Sequence, residues 1–278
     1  LKITKLKILF MNNLTLLFIG DIVGSLGRKA VSQLLPGLKK EFSLDLVIAN
    51  GENAAHGRGI TLLTAQELLS NGIDFLTTGD HCFDQSTNIE ACFSGTLPII
   101  RPANYGIDAP GEGYKIVSHP KGDILIMNLL GRTFMSRSYE CPFRKSEEIL
   151  ASFTNKKFSA IIVDIHAEAT SEKIALRHFL NGKISALFGT HTHVQTADGH
   201  ISSVGTAYLS DVGMTGYADG VIGIEASPII ATFLTQIRQP HALASAGRAI
   251  LNGVIITIDT TTARCLDITP IQREAFIE

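Results

Sequence analysis

Short apolar runs recur along this chain with helix-period segments between them, and that alternation constrains the fold more than any other feature of the sequence. Leu14 to Ile19 reads as a buried strand, followed by a helix from Leu26 to Lys40 whose last turns Pro36 disturbs. Asp45 to Ala49 is a second strand. Thr61 to Ser70 reads as a helix with a capping box of Thr64 and Glu67 and a stop at Asn71-Gly72; Asp74 to Thr78 is the third strand. Tyr114 to Ser118 and Asp123 to Leu129, joined by Pro120-Lys121-Gly122, carry a hairpin signal. Ala160 to Ile165, Ala186 to Phe188 and Gly205 to Leu209 follow as core strands, with a helix from Ser171 to Leu180 after the first. Gly253 to Ile258 and Arg264 to Ile268 close the chain as another hairpin. The expectation is a layered α/β fold with mixed central sheets and flanking helices.

The 278 residues fit one domain over 14–274, with 1–13 as an N-terminal extension. Lys2, Lys5 and Lys7 ahead of apolar residues resemble a signal peptide superficially, but Asn12 and Asn13 interrupt the run and no small-residue cleavage site precedes Asp21. No apolar run reaches the ~20 residues of a membrane-spanning helix. Cys82, Cys92, Cys141 and Cys265 form no CxxC pair, so neither a disulfide framework nor a zinc ribbon is expected, and the cytoplasm is the expected compartment. A net charge of −2 offers no basic excess for nucleic acid or anionic lipid. Phosphate chemistry would therefore need a local site or a bound cation. An apolar content of 45% supplies a sizeable core and permits a homo-oligomeric interface.

Ligands of open α/β sheets sit beyond the carboxyl ends of the strands. Gly20-Asp21 follows the first strand, Asn50-Gly51-Glu52-Asn53 the second, and Gly79-Asp80-His81 the third, with Asp84 three residues on. His166 and Glu168 follow Asp164-Ile165, and Gly189-Thr190-His191-Thr192-His193 follows the next strand. Carboxylate, carboxamide and imidazole suit borderline divalent ions such as manganese, iron or zinc, and the missing thiolates argue against structural zinc. These side chains outnumber the sites of one ion. Two ions about 3.5–4 Å apart, sharing a carboxylate, would use them and could bind both oxygens of a phosphate. The glycines before the ligands permit sharp turns and close backbone approach.

Gly20-Asp21, Gly51-Glu52-Asn53, Gly79-Asp80-His81, His166 and Gly189-Thr190-His191-Thr192-His193 resemble the ordered motifs of calcineurin-like metallophosphoesterases. GDIVGSLGR, NGENAAHGRGIT, VDIHAEATSEK and GTHTHVQTADG resemble the bacterial YmdB-like branch more closely. The resemblance implies hydrolysis of 2′,3′-cyclic nucleotides or related phosphodiesters, RNA ends included. It also implies one ion at Asp21, Asn53 and His193, a second at Asp80, His166 and His191, and Glu52 as the bridge. The ions would be iron or manganese, with zinc or magnesium as alternatives. The sequence departs from the superfamily twice: Val23 stands where D-x-H has its histidine, and Asp80 replaces the asparagine of G-N-H.

The chemistry expected of such a site is in-line attack by a metal-bridging hydroxide, with His81 as general acid to the leaving alkoxide. Arg28, Arg58, Arg101 and Arg132 are candidate phosphate clamps, although a solvated or ion-paired role is favoured for each. Asp211 is a candidate second-layer support for a histidine, and Asp164 and Glu168 stay outside the catalytic set. Two other readings compete. Gly20, Gly24 and Gly27 partly match a dinucleotide-binding turn, but the spacing misses G-x-G-x-x-G and Asp21 would repel the pyrophosphate. The second is a non-catalytic, metal-dependent nucleotide or RNA sensor, which would need the same ligands but no acid.

Overall fold

The computed structural model describes residues 12–85 and 89–278; the expected extension falls, up to residue 11, outside them. The first half contains β1 (Asn13–Ile19), β2 (Asp21–Ile22), α1 (Gly24–Phe42), β3 (Leu46–Asn50), α2 (Leu62–Ser70), β4 (Phe75–Thr77), α3 (Ile89–Cys92), β5 (Tyr114–Val117) and β6 (Ile124–Leu130). The second half contains α4 (Pro142–Ala151), β7 (Ala160–His166), α5 (Thr170–Leu180), β8 (Ala186–Thr190), β9 (His200–Ile201), β10 (Ala207–Leu209), β11 (Met214–Tyr217), α6 (Ala226–Thr235), β12 (Gly247–Asp259) and β13 (Arg264–Ile277).

The strands form two mixed sheets. One runs β2-β11-β12-β1-β3-β4 with β13 paired to β12, the other β5-β6-β7-β8-β10-β9. Side chains alternate across a strand, so Leu14, Leu16 and Phe18 of β1 point one way and Leu17 and Ile19 the other. The first set meets Ile124, Ile126, Ile162 and Phe188 of the opposite sheet. The second packs with Val31 and Leu35 of α1 and Leu68 of α2. Leu125, Met127 and Val163 face Ile149 of α4 and Leu176 of α5 in the same way. The result is the layered α/β sandwich expected from the strand pattern, each inner strand covered on both faces.

Several local expectations need correction. Thr61, not Thr64, caps α2: Thr64 N donates to Thr61 Oγ1 at 3.2 Å and Thr61 N to Thr64 Oγ1 at 3.0 Å. Glu67 is thereby free, and it binds Arg28 at 2.7 Å. Helix α1 continues past Pro36 to Phe42. Strands β12 and β13 run far beyond the expected hairpin. Among the described residues strand β13 pairs only with β12, and an edge tolerates Pro270 and the polar residues that hide it in the sequence.

The two sheets are tied together at their carboxyl ends by one buried acid. Asp164 Oδ2 accepts from Asn50 Nδ2 at 3.0 Å and Thr77 Oγ1 at 2.5 Å, both from the opposite sheet, while its Oδ1 accepts from Thr190 Oγ1 at 2.8 Å. Burial pushes the Asp164 carboxyl up to about 7. An Asp164→Ala protein leaves three buried donors without their acceptor. It is expected to lose roughly 3 kcal/mol or more of stability in urea unfolding, whereas a loss below about 1 kcal/mol would contradict this clamp.

Candidate metal centre

Each side chain singled out at a strand end arrives at the same place because parallel neighbours end together. Strands β1 and β3 are parallel, as are β3 and β4, β6 and β7, and β7 and β8. Glu52, Asp80, His166 and His191 each offer one atom, all within 4.8 Å of one another. His166 Nε2 lies 3.2 Å from Glu52 Oε1, 3.2 Å from Asp80 Oδ1 and 3.0 Å from His191 Nδ1. Glu52 Oε1 also accepts from Asn53 Nδ2 at 2.9 Å, and that amide lies 3.3 Å from His193 Nε2. Glu52 therefore stands between two halves of the cluster. Asp21 joins from the side, its Oδ1 3.6 Å from His166 Nδ1 and its Oδ2 accepting from the backbone N–H of His191 at 3.0 Å.

The glycines before these residues work through closeness and not through turn geometry. Gly20, Gly51, Gly79 and Gly189 are absent from the left-handed backbone region; His191 and His193 occupy it instead, at φ 102° and 67°. A Cβ on Gly79 would overlap Glu52 Oε2 and fall 2.6 Å from His166 Nε2, so glycine alone lets the strand end pass beneath the cluster. Thr192, between the two histidines, is held by Asp211, whose Oδ2 accepts from its N–H at 3.0 Å and its hydroxyl at 2.8 Å. Lys173, buried in α5, donates to the same oxygen at 2.9 Å. Asp211 thus supports the loop that carries the histidines, through Thr192.

The electrostatics of the cluster follow from burial and from charges in close contact. Burial opposes charge on His166, yet Glu52, Asp80 and Asp21 outweigh it and hold the imidazolium well above the usual histidine range. Burial likewise raises Asp80 and Glu52, but the hydrogen bonds and charge of His166 hold both low. Burial, with the positive His166 beside it, pushes His191 down to about 4. Burial keeps the Asp21 carboxyl above its usual range. Asp21 Oδ1 and Asn53 Oδ1 are buried with no hydrogen-bond partner among the described residues. Oxygen and imidazole donors, the orphaned Asp21 oxygen and a surplus of negative charge fit divalent cations.

The cluster opens into a cavity of about 420 Å³ whose wall includes Val23, Arg58, His81, Ile222, Ile224 and His241. His81 Nδ1 lies 3.0 Å from Asp84 Oδ2, and its backbone N–H donates to Glu52 Oε2 at 3.1 Å. Of the four arginines considered as clamps, only Arg58 lines this cavity, and it is paired with Asp84 at 2.5 Å. Arg28 is tied to Glu67, buried Arg101 donates to the carbonyls of Pro102 and Ala103, and Arg132 is exposed. Sequence reasoning missed the Ile222–His241 side of the cavity, which is remote in sequence and carries no motif. It also missed Lys173, although its spacing from Leu176 and Leu180 on the buried face of α5 is a readable signal.

Comparison with known proteins agrees with this geometry. The YmdB-like protein family matches residues 17–271. The chain is 42% identical over 254 residues to the 2′,3′-cyclic-nucleotide 2′-phosphodiesterase of Bacillus subtilis (strain 168), covering 91% of this chain and 94% of that one. A crystal structure described as a novel phosphatase from Mycoplasma pneumoniae superposes with a TM-score of 0.90 at 32% identity, over 96% of this chain and 95% of that one. A hypothetical protein from Thermus thermophilus superposes with a TM-score of 0.86 at 37% identity, over 94% and 99%. By its motifs, its fold and this match, the chain belongs to the YmdB-like family, a branch of the calcineurin-like metallophosphoesterases.

Proposed function

We propose that this protein is a dinuclear metal-dependent phosphodiesterase acting on 2′,3′-cyclic nucleotides or related phosphodiesters, RNA ends among them. The observation that carries the reading is the gathering of six other candidate ligands around Glu52 at one end of an open cavity, in a chain 42% identical to a 2′,3′-cyclic-nucleotide 2′-phosphodiesterase. Asp21, Asn53 and His193 would hold one ion, Asp80, His166 and His191 the other, and Glu52 both. Asn53 would ligate through its oxygen, which takes the place of the nitrogen by an amide flip. Iron or manganese suits the mixed oxygen and imidazole set best, with zinc or magnesium as substitutes. Bound ions would supply Lewis acidity toward the phosphate oxygens and a water acidic enough to ionise near pH 7.

The rest is the work of the chain. Glu52 and Asp80 keep the anionic side of the cluster fixed, and His166 is locked from behind by Thr190. His81 has Nδ1 engaged by Asp84, which leaves Nε2 to protonate the departing oxygen. Arg58 at the cavity wall is placed to meet a non-bridging phosphate oxygen if it exchanges Asp84 for substrate. We read residues 14–274 as one domain, and the four free cysteines fit a reducing cytoplasm.

His81→Ala is expected to lower kcat about 10²–10⁴-fold with metal content unchanged; undiminished turnover would remove the acid role. The reading as a whole is tested by assaying manganese-loaded protein on 2′,3′-cyclic AMP, 3′,5′-cyclic AMP and a phosphomonoester. Metal-dependent turnover of the 2′,3′-cyclic diester supports it. Tight nucleotide binding without turnover would favour a sensor instead.

A further inference from the structure

The three cluster histidines each have their outward ring nitrogen held by a different oxygen. His166 Nδ1 lies 2.9 Å from Thr190 Oγ1, and that hydroxyl already donates to Asp164, so it accepts from the imidazole. His193 Nδ1 lies 2.9 Å from the carbonyl oxygen of Ile222. His191 Nε2 lies 3.2 Å from Glu168 Oε2. The first two acceptors are neutral. Glu168 is a half-exposed carboxylate on the cavity wall, two residues beyond His166.

His191 needs such a partner more than His166 does. His166 is fully buried, so packing fixes its ring, whereas His191 is 23% exposed and sits on a backbone with φ of 102°. An ionised carboxylate only accepts hydrogen bonds. It therefore selects the tautomer with hydrogen on Nε2 and leaves the Nδ1 lone pair facing the cluster, where Nδ1 is 3.6 Å from Asp80 Oδ1. We infer that Glu168 is a positioning residue that sets the tautomer and ring orientation of His191 so that Nδ1 is presented to a metal ion. The inference rests on the reading of His191 as a ligand. A half-exposed hydrogen bond contributes little to folding, but the outer partner of a ligating histidine typically controls about 10–100-fold in metal affinity or activity.

The experiment compares the parent protein with E168A and E168Q, all stripped of metal. Calorimetric titration with manganese gives affinity, thermal unfolding gives stability, and long-range ¹H–¹⁵N spectra of the imidazoles give the His191 tautomer. The expected result for E168A is about 10–100-fold weaker manganese binding, an unchanged Tm and a mixture of His191 tautomers. E168Q keeps an acceptor oxygen, so it should recover most of the affinity and the Nε2–H form. Parental affinity in E168A with the His191 tautomer unmoved would overturn the inference. A parent that takes up no manganese would refute the metal reading itself, and the tautomer spectra of metal-free protein would then decide the role of Glu168 alone.

Discussion

Replacing Glu52 with alanine is expected to abolish metal uptake and phosphodiester turnover together, at a cost well beyond the roughly 10–100-fold of losing an outer partner. Glu52 is where the two halves meet: Oε1 lies 3.2 Å from His166 Nε2 and 2.9 Å from Asn53 Nδ2, and Oε2 accepts from the His81 backbone N–H. Alanine would remove the charge shared between the halves and leave buried His166 with one fewer counter-charge. Metal content and kcat/KM measured on the same preparation check this. A variant that keeps full metal content would show that Glu52 is not the bridge.

Gly79→Ala is expected to have nearly as large an effect from a single methyl group. Its Cβ would enter the cluster on top of Glu52 Oε2, with His166 Cδ2 and Nε2 at 2.6 Å. Backbone strain is not the cause, since Gly79 does not use a left-handed φ. The methyl group can be housed only by pushing Glu52 and His166 apart, which is overpacking in a rigid site and typically costs about 1–3 kcal/mol. Metal binding should be lost while far-UV circular dichroism still reports a folded α/β protein. Retained metal affinity would mean that the strand end lies farther from the cluster than these distances indicate.

The inner strands and the site were legible in the sequence for one shared reason. Buried parallel strands are short continuous apolar runs, and their carboxyl ends gather side chains from distant positions, so Asp21, Glu52, Asp80, His166 and His191 could be read as neighbours before any coordinates. What escaped lacked a local pattern. The part of β13 beyond Ile268 is a solvated edge that opens on Pro270, and helix α6 buries none of its residues, so neither shows the periodicity of a core element. The hold of Ile222 on His193 passes through a backbone carbonyl, which no residue type announces. Glu168 stays outside the catalytic set in the sequence because an acid beside a ligand is as readily an ordinary turn residue as a support; the 3.2 Å approach to His191 distinguishes it. The Thr64–Glu67 capping box was misread because Thr61 supplies the same hydroxyl chemistry one turn earlier.

Elemental analysis of the purified, unmutated protein tests the central claim most directly. Two equivalents of iron, manganese, zinc or magnesium per chain, falling in the Glu52→Ala protein, are what two ions joined at a shared carboxylate require. One equivalent or none, in a protein that still cleaves a 2′,3′-cyclic diester, would contradict the account.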